Sequence, residues 1–162
     1  MLIGFPQLLD KVNEHIDRLD YAREPMNLYE PVKYILALGG KRIRPVMMLM
    51  AYNMYRDDVD KILDPALALE IYHNFTLLHD DLMDNADVRR GKPTVHKRWD
   101  ANTAILSGDV MLSLADVYMS RIDDAYFRQV MATFHQTSIE IAEGQQYDMD
   151  FETRTDVAEQ EY

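Results

Sequence analysis

The segment DPALALEIYHNFTLLHDDLMD, residues 64–84, decides how the fold of this chain is interpreted. Its apolar residues recur at helical spacing, and Asp64 and Pro65 supply an N-cap and a first-turn proline. We therefore predict one long helix that ends near Asp84. Three carboxylates crowd its C-terminal end, and the sequence that follows, NADVRRGKPTVH at residues 85–96, contains two adjacent arginines.

The three carboxylates share one side of the predicted helix. At about 100° per residue, Asp80 and Asp84 fall on nearly the same face, and Asp81 lies about 60° away. Carboxylates this close repel each other unless a cation lies between them, and an oxygen-only cluster suits Mg²⁺. The alternative, a solvated acidic helix end, is what a DDxxD pattern alone would favour. The neighbouring apolar residues Leu82 and Met83 argue against a fully solvated face.

A second cluster, GGKRIRP at residues 39–45, is basic. The two glycines let the backbone turn sharply between helices. Lys41 and Arg44 can then converge on one anion near a helix N-terminus, where the helix dipole assists. A solvated basic turn explains this cluster equally well when it is taken singly, and the pair Arg89 and Arg90 is a weak signal by itself. Together, the acidic and basic clusters favour a magnesium-dependent enzyme that acts on a diphosphate ester.

Composition excludes several other classes of protein. The chain has 162 residues, 48% of them apolar, and no apolar run near 18 residues, so we expect neither a membrane-spanning helix nor stable membrane insertion. It has no cysteine and a net charge of −11. Without cysteine we expect no disulfides and no thiolate metal site, and the absence of cysteine fits a cytoplasmic location. So acidic a chain is a poor partner for nucleic acid or an anionic membrane.

The remaining apolar pattern is helical as well, and no segment has the signals of a strand. The fold class is therefore all-α, with a turn at residues 91–93. A Met-rich helix, VMMLMAYNMY, is expected to lie in the core. The predicted helices outside the long one span residues 5–19, 30–38, 45–55, 101–121 and 124–150.

The C-terminus carries one more helix signal. Asp156 and Glu159 have the spacing of a capping box, which predicts a further helix that begins near residue 156. The sequence stops at Tyr162, and so short a helix is marginal by itself. We therefore expect residues 1–162 to form a single domain that is truncated in this helix.

Taken in order, the motifs resemble those of the trans-isoprenyl diphosphate synthases, the polyprenyl synthetase family that includes farnesyl and geranylgeranyl diphosphate synthases. The matching elements are GGKRIRP, His73, DDLMD, RRGKPTVH, SGD at 107–109 and GQQYD at 144–148. The resemblance covers about residues 25–162. It implies an isoprenoid synthase-type helical bundle, of which this chain would form the N-terminal part with about six helices.

The resemblance also implies roles for individual residues. Those that would be catalytic, by holding Mg²⁺ on an allylic diphosphate (dimethylallyl, geranyl or farnesyl) or contacting it directly, are Asp80, Asp81, Asp84 and Arg89. Those that would bind the diphosphate of isopentenyl diphosphate are Lys41, Arg44, His73 and Arg90. Gln145 and Asp148 match the GQxxD segment near the active cavity, and Gln145 is a further candidate for substrate binding.

Product length depends, in this family, on the residue five positions before the first aspartate-rich motif. Here that residue is Phe75, with Thr76 beside it and no insertion within DDLMD. A large ring at this position resembles enzymes that make C15 to C20 products.

The chain departs from the family pattern in length and in motif content. Members are about twice as long and carry a second aspartate-rich motif, which is missing from this sequence. We therefore expect weak binding of metal and diphosphate without turnover. The family is usually homodimeric through helices like those at 101–121 and 124–150, so we expect self-association. The alternative is a non-catalytic helical partner of a synthase, or a subunit that binds an isoprenoid diphosphate.

Overall fold

The fold of this protein is all-α, as predicted, in a computed structural model that describes residues 2–19 and 23–161. The α-helices of these residues are α1 Phe5–Asp17, α2 Met26–Ala37, α3 Ile43–Asn53, α4 Leu63–Met83, α5 Val95–Arg98, α6 Ala101–Met119 and α7 Asp124–Phe151. A short 3₁₀ helix, Val59–Ile62, precedes α4. The chain divides into two compact units, Met1–Ile122 and Asp123–Tyr162. That both units form one domain stays a prediction.

Helix α4 is the central element of the first unit. It packs against α1, α2, α3, α5 and α6. Its residues Leu67, Ala68, Ile71 and Leu78 are buried in several directions around the helix, as expected for a helix surrounded by others. One hydrophobic core joins it to α1 and α3 through Leu8, Val12, Val46, Leu49, Val59, Ile62 and Ala66.

The C-terminus of α4 lies where the sequence predicted it. The amide of Asp84 donates to the Asp80 carbonyl at 2.8 Å, and the amide of Ala86 donates to the Asp81 carbonyl at 2.9 Å. Asn85 between them has a φ of 51°, in the left-handed region in which helices commonly end. The acidic motif therefore occupies the last turn of the helix and its C-cap.

The prediction that no strands form was wrong for one short hairpin. Strand β1, Val88–Arg89, pairs antiparallel with β2, Lys92–Pro93. Arg90 and Gly91 connect them with φ values of 52° and 76°, the left-handed pair that a two-residue type I′ turn requires. Two residues per strand are too few to show an alternating pattern. The turn predicted at residues 91–93 lies instead at Arg90 and Gly91, because Lys92 and Pro93 pair with β1.

Two helix predictions need correction as well. Helix α2 begins at Met26 rather than at residue 30, because the carboxylate of Glu24 accepts the Met26 amide at 3.0 Å and opens the helix earlier. The Met-rich helix α3 is only half in the core. Met47, Met50 and Met54 are exposed, because α3 packs on its neighbours through the face that carries Val46 and Leu49.

The helix expected near residue 156 is not formed in the described residues, which end at 161. Its proposed N-cap, Asp156, accepts instead from the Arg154 guanidinium at 3.1 Å, and Arg154 also pairs with Glu161. Residues 159–161 form a turn in which the Glu161 amide donates to the Ala158 carbonyl at 2.9 Å. The ion pairs of Arg154 with Asp156 and Glu161 therefore form in place of the predicted capping box.

No helix in the described part of the chain combines the length and the apolar character that a membrane span needs.

Helices α4 and α6 approach closely at Gly108. A Cβ atom at this position would lie 2.6 Å from Cδ2 of His79, well inside van der Waals contact. The His79 ring has little freedom to move, because Phe75 packs edge-on against it with the ring centroids 4.8 Å apart. The neighbouring Ser107 is buried and donates to the Leu28 carbonyl of α2 at 2.9 Å.

Gly108→Ala should therefore lower the free energy of unfolding by about 1–3 kcal/mol, through overpacking against His79. Gly144→Ala on α7 is the matched control: apart from its chain neighbours and the nearby backbone of its own helix, no atom of the described residues comes within 4 Å of its Cβ position, and alanine should raise helix stability by up to about 1 kcal/mol. Urea denaturation measures both. The penalty at Gly108 should shrink in a His79→Ala background, and equal stability of Gly108→Ala and the parent chain would contradict this packing.

Candidate active site

A cavity of about 450 Å³ lies between the start of α3, the middle of α4 and the hairpin. Its walls are formed by Gly40, Lys41, Arg42, Ile43, Arg44, Glu70, His73 and Arg90. The structure thus brings together, from three separate parts of the sequence, the four residues predicted for one diphosphate pocket. Their role as ligands of a diphosphate stays a prediction.

The glycine turn makes room for an arginine. Gly40 has a φ of 150°, and a Cβ there would lie 3.1 Å from the Arg90 guanidinium. Arg90 also donates to the carbonyl of Gly39. The motif GGK therefore provides more than a sharp bend, because a Cβ at Gly40 would crowd the Arg90 guanidinium and the positive φ favours glycine there.

The hairpin sends its two arginines in different directions, Arg90 toward the glycine turn and Arg89 toward α4. It is tied to α2 by Tyr34, whose hydroxyl donates to the Pro93 carbonyl at 2.7 Å. It is tied to the chain after α4 by Thr94, whose hydroxyl donates to the Ala86 carbonyl at 2.7 Å. These bonds fix both arginines relative to α4.

Arg89 neutralises the second carboxylate of the acidic motif. Its Nη2 and Nε donate to Oδ1 of Asp81 at 2.6 and 3.0 Å, and Nε also lies 3.2 Å from Oδ2. The Asp81 side chain is 3% exposed. The hydrogen bond to this carboxylate raises the pKa of Arg89. A charge-assisted, multiply hydrogen-bonded pair of this kind fixes the Asp81 carboxylate against Arg89.

Asp80 and Asp84 form no ion pair among the described residues. Asp80 is half-buried, and its burial, followed by the charge of Asp84, raises the pKa of Asp80. Both also lie at the C-terminal end of a helix, where the helix dipole disfavours negative charge. This is the electrostatic setting that a bound cation relieves.

The donor set fits Mg²⁺ when water and phosphate oxygens complete the coordination. Among the described residues, no three acidic or histidine side chains converge closely enough to hold an ion alone. Mg²⁺ commonly takes one or two carboxylates and fills its remaining positions with water and substrate phosphates. Asp80 and Asp84 would supply those carboxylates. Asp81, predicted as a third ligand, is bonded to Arg89 here, and its metal-binding role stays a prediction.

His73 is half-buried in the wall of the cavity. Burial lowers the pKa of His73, and so do the charges of Arg44, Arg90 and Arg89, while Glu70 acts in the opposite direction. The imidazole is therefore neutral at pH 7 in the free protein. An anion bound in the cavity would reverse this balance and favour the imidazolium.

The sequence analysis missed two residues in the cavity wall, Arg42 and Glu70. They form an ion pair with 2.6 Å between Nη1 and Oε1, and each side chain is 3% exposed. Arg42 stands within the basic motif between two predicted ligands, yet its charge is paired with Glu70 inside the protein. Spacing in the sequence cannot distinguish a cation that faces a cavity from one that is buried beneath it.

The residues predicted to limit product length lie on α4, between His73 and the acidic motif. Phe75 is half-buried and packs edge-on against Tyr72, with ring centroids 5.5 Å apart, as well as against His79. Thr76 donates its hydroxyl to the His73 carbonyl at 2.9 Å and so turns toward its own helix. Their effect on product length stays a prediction.

The two residues of the GQQYD segment belong to the second unit. Gln145 and Asp148 lie on α7. Their predicted place near the cavity stays a prediction.

Comparison with known proteins agrees with these observations. The family model described as Polyprenyl synthetase matches residues 25–162. A geranylgeranyl diphosphate synthase of Methanosarcina mazei is 42% identical over 153 residues, which cover 93% of this chain and 47% of that protein. A geranylfarnesyl diphosphate synthase of Natronomonas pharaonis is 40% identical, with 93% of this chain and 50% of that protein covered. A crystal structure of a geranylgeranyl pyrophosphate synthase matches with a TM-score of 0.93 and 48% identity, and covers 99% of this chain and 49% of that one.

The chain belongs to the polyprenyl synthetase family, which confirms the resemblance found in its motifs. The helical fold of the solved relative confirms the predicted architecture. This chain spans about half the length of the curated relatives it matches.

We expect the His73 imidazole to titrate below its ordinary pKa of 6.5 in the free protein, because burial and Arg44 disfavour its charged form. Inorganic pyrophosphate should move the midpoint upward. NMR titration of the ring resonances measures both values. Arg44→Gln is the control, because it removes a nearby positive charge and should raise the midpoint without ligand. A midpoint at or above 6.5 in the free parent chain would show that His73 is not buried beside these positive charges.

Proposed function

We propose that this chain provides the isopentenyl diphosphate pocket and the first aspartate-rich motif of a prenyltransferase. The reaction would join isopentenyl diphosphate to an allylic diphosphate, head to tail and in trans, to give a C15 to C20 isoprenyl diphosphate. The observation that supports this proposal most is the cavity that collects Lys41, Arg44, His73 and Arg90. The curated relatives, named as geranylgeranyl and geranylfarnesyl diphosphate synthases, support the same reaction class.

The spacing of the two charged sites along α4 suits two diphosphate substrates. His73 and Asp80 are seven residues apart on one face, about 10 Å along the helix axis. The positive charge of Arg89 acts on both sites, because it lowers the pKa of His73 and also that of Asp80. Diphosphates held at both sites would bring their hydrocarbon parts close together, which a joining reaction requires.

The proposed chemistry needs no protein nucleophile. The allylic C–O bond breaks and its electron pair leaves with the diphosphate; the double bond of isopentenyl diphosphate attacks the resulting carbocation, and a proton passes to the released diphosphate. Mg²⁺ held by Asp80 and Asp84 would supply positive charge that stabilises the leaving group. Arg89 would add a second positive charge there, and Lys41, Arg44 and Arg90 would hold the other diphosphate in place.

Phe75 and Thr76 would limit the length of the product. Phe75 lies one turn before the acidic motif, and its edge-on contacts with Tyr72 and His79 hold the ring in a fixed orientation. A ring fixed there would stop a growing hydrocarbon chain early. This supports a short-chain product in the C15 to C20 range.

We also propose a cytoplasmic homodimer. Helix α6 exposes Ile105, Leu106 and Val117, and exposed apolar residues of this kind favour association with another protein surface.

Dimethylallyl, geranyl and farnesyl diphosphate are the candidate allylic substrates.

Asp80→Asn combined with Asp84→Asn should weaken Mg²⁺-dependent binding of inorganic pyrophosphate by about tenfold or more, equivalent to about 1.4 kcal/mol, because both proposed metal ligands lose their charge. Isothermal titration calorimetry with and without Mg²⁺ measures the effect. Asp10→Asn on α1 is the control for a change in net charge. Unaltered Mg²⁺-dependent affinity in the double variant would sink the metal assignment.

The 162-residue chain alone should bind pyrophosphate but not transfer prenyl groups, because it carries one aspartate-rich motif and lacks a second one to hold the leaving group from the opposite side. Incubation with labelled isopentenyl diphosphate and each allylic diphosphate, followed by product extraction, tests this. Labelled isoprenyl diphosphate formed above the level of an Asp80→Asn control would contradict it.

A further inference from the structure

The buried ion pair between Arg42 and Glu70 lies under the cationic cavity. Arg42 belongs to the basic motif and Glu70 to the middle of α4, and both line the cavity wall. With 3% exposure for each side chain, neither charge is solvated. Asn74 supports the pair, because its side-chain amide donates to Oε1 of Glu70 at 3.0 Å.

This pair connects three elements at one point. Nη2 of Arg42 donates to the carbonyl of Leu36, near the end of α2, at 2.7 Å. The backbone of Arg42 forms the N-cap of α3 with a φ of 48°. Its Nη1 meets Glu70 of α4. One side chain therefore fixes the position of the start of α3 relative to α4.

Most of the proposed ligands of the diphosphate lie within a few residues of Arg42 or Glu70 in the sequence. Lys41 precedes Arg42, Arg44 follows it by two residues, and His73 lies about one helical turn after Glu70. Arg90, whose backbone is also left-handed with a φ of 52°, lies against Gly40 on the other wall. Left-handed backbone at residues other than glycine is held in place by its surroundings and is concentrated at functional sites.

Stability alone is a poor explanation for the pair. Removing two charges from water is costly, and a well-packed apolar pair of similar volume often serves a fold equally well. Arg42 cannot easily leave Glu70 to bind an anion, because Glu70 would then remain buried without its partner charge. Position is the property that an apolar pair could not reproduce, because the guanidinium fork bonds in fixed directions.

We propose that Arg42 and Glu70 are positioning residues, which set the separation between the cations at the start of α3 and His73 on α4 so that both contact one diphosphate. This inference rests on the proposed function. Although the pair borders the cavity, both side chains are almost wholly buried and committed to each other, so the pair acts through Lys41, Arg44 and His73 rather than as a ligand of the diphosphate.

Two variants test the proposal. Arg42→Lys keeps the charge but loses the fork that reaches Glu70 and Leu36 together. The double variant Arg42→Met with Glu70→Leu removes both buried charges, so no unpaired charge stays in the interior. The matched control removes a different ion pair between distant parts of the chain, Lys11→Met with Asp60→Leu, in which the charged atoms are 2.7 Å apart.

The readouts are affinity for inorganic pyrophosphate in EDTA, which reports the cationic cavity, and the gain in affinity that Mg²⁺ adds, which reports Asp80 and Asp84. Thermal unfolding is followed in parallel. Both Arg42 variants should lose metal-free affinity on the order of tenfold or more, because misplaced ligands no longer meet one anion. The gain from Mg²⁺ and the cooperative melt of the double variant should persist, and the control should behave like the parent chain.

Three results would overturn the inference. Metal-free affinity equal to that of the parent chain in the double variant would remove the positioning role. Equal loss of both binding modes would assign the pair to general integrity of the fold, as would loss of the cooperative melt in the double variant. A parent chain that binds pyrophosphate under neither condition would instead contradict the proposed function, so the two failures are distinguishable.

Discussion

The packing of α4 among five other helices is the constraint on which the rest of this structure depends. Apolar side chains around most of the helix are buried, so its rotation and its position along its own axis are both fixed. Glu70, His73 and the acidic motif lie on this one rigid element. The basic motif and the hairpin need only approach α4 from the side to complete the candidate site. A site built on a buried helix keeps its geometry better than one built on loops.

The charges of the site divide into paired and exposed ones. Two arginines are used internally, Arg42 against Glu70 and Arg89 against Asp81. Among the described residues, Lys41 and Arg44 form no ion pair and line the cavity. The internal pairs hold the elements in place, and the exposed charges remain available to a ligand. The cations beside the middle of α4 and the carboxylates at its C-terminal end therefore lie ready for ions of opposite charge, an arrangement that favours binding at the expense of stability.

Some of this was predictable because the signals are local. The end of α4 follows from its apolar spacing and from the motif that closes it. The glycine within the short basic segment indicates a turn, although the turn begins at Arg90 rather than at the predicted residue 91. Other features depend on neighbours that are remote in the sequence. The methionines of α3 satisfy every local criterion for a core helix, yet only the contacts with α1 and α4 decide which of its faces is buried. Asp156 has the spacing of a helix cap, but Arg154 competes for its carboxylate.

The sequence by itself determined the helical class, the family and the residues that could carry metal or phosphate chemistry, because each of these is written in residue type and short-range spacing. Only the tertiary structure decided which charges face the cavity and which are satisfied inside the protein. Arg42 and Arg44 are indistinguishable by spacing and both border the pocket, yet only Arg42 is buried and paired with Glu70. The same holds for Asp81, which is buried and paired with Arg89, whereas Asp80 is only half-buried. Burial and the choice of partner depend on elements that meet only when the chain folds, and these two properties set what each charge can do.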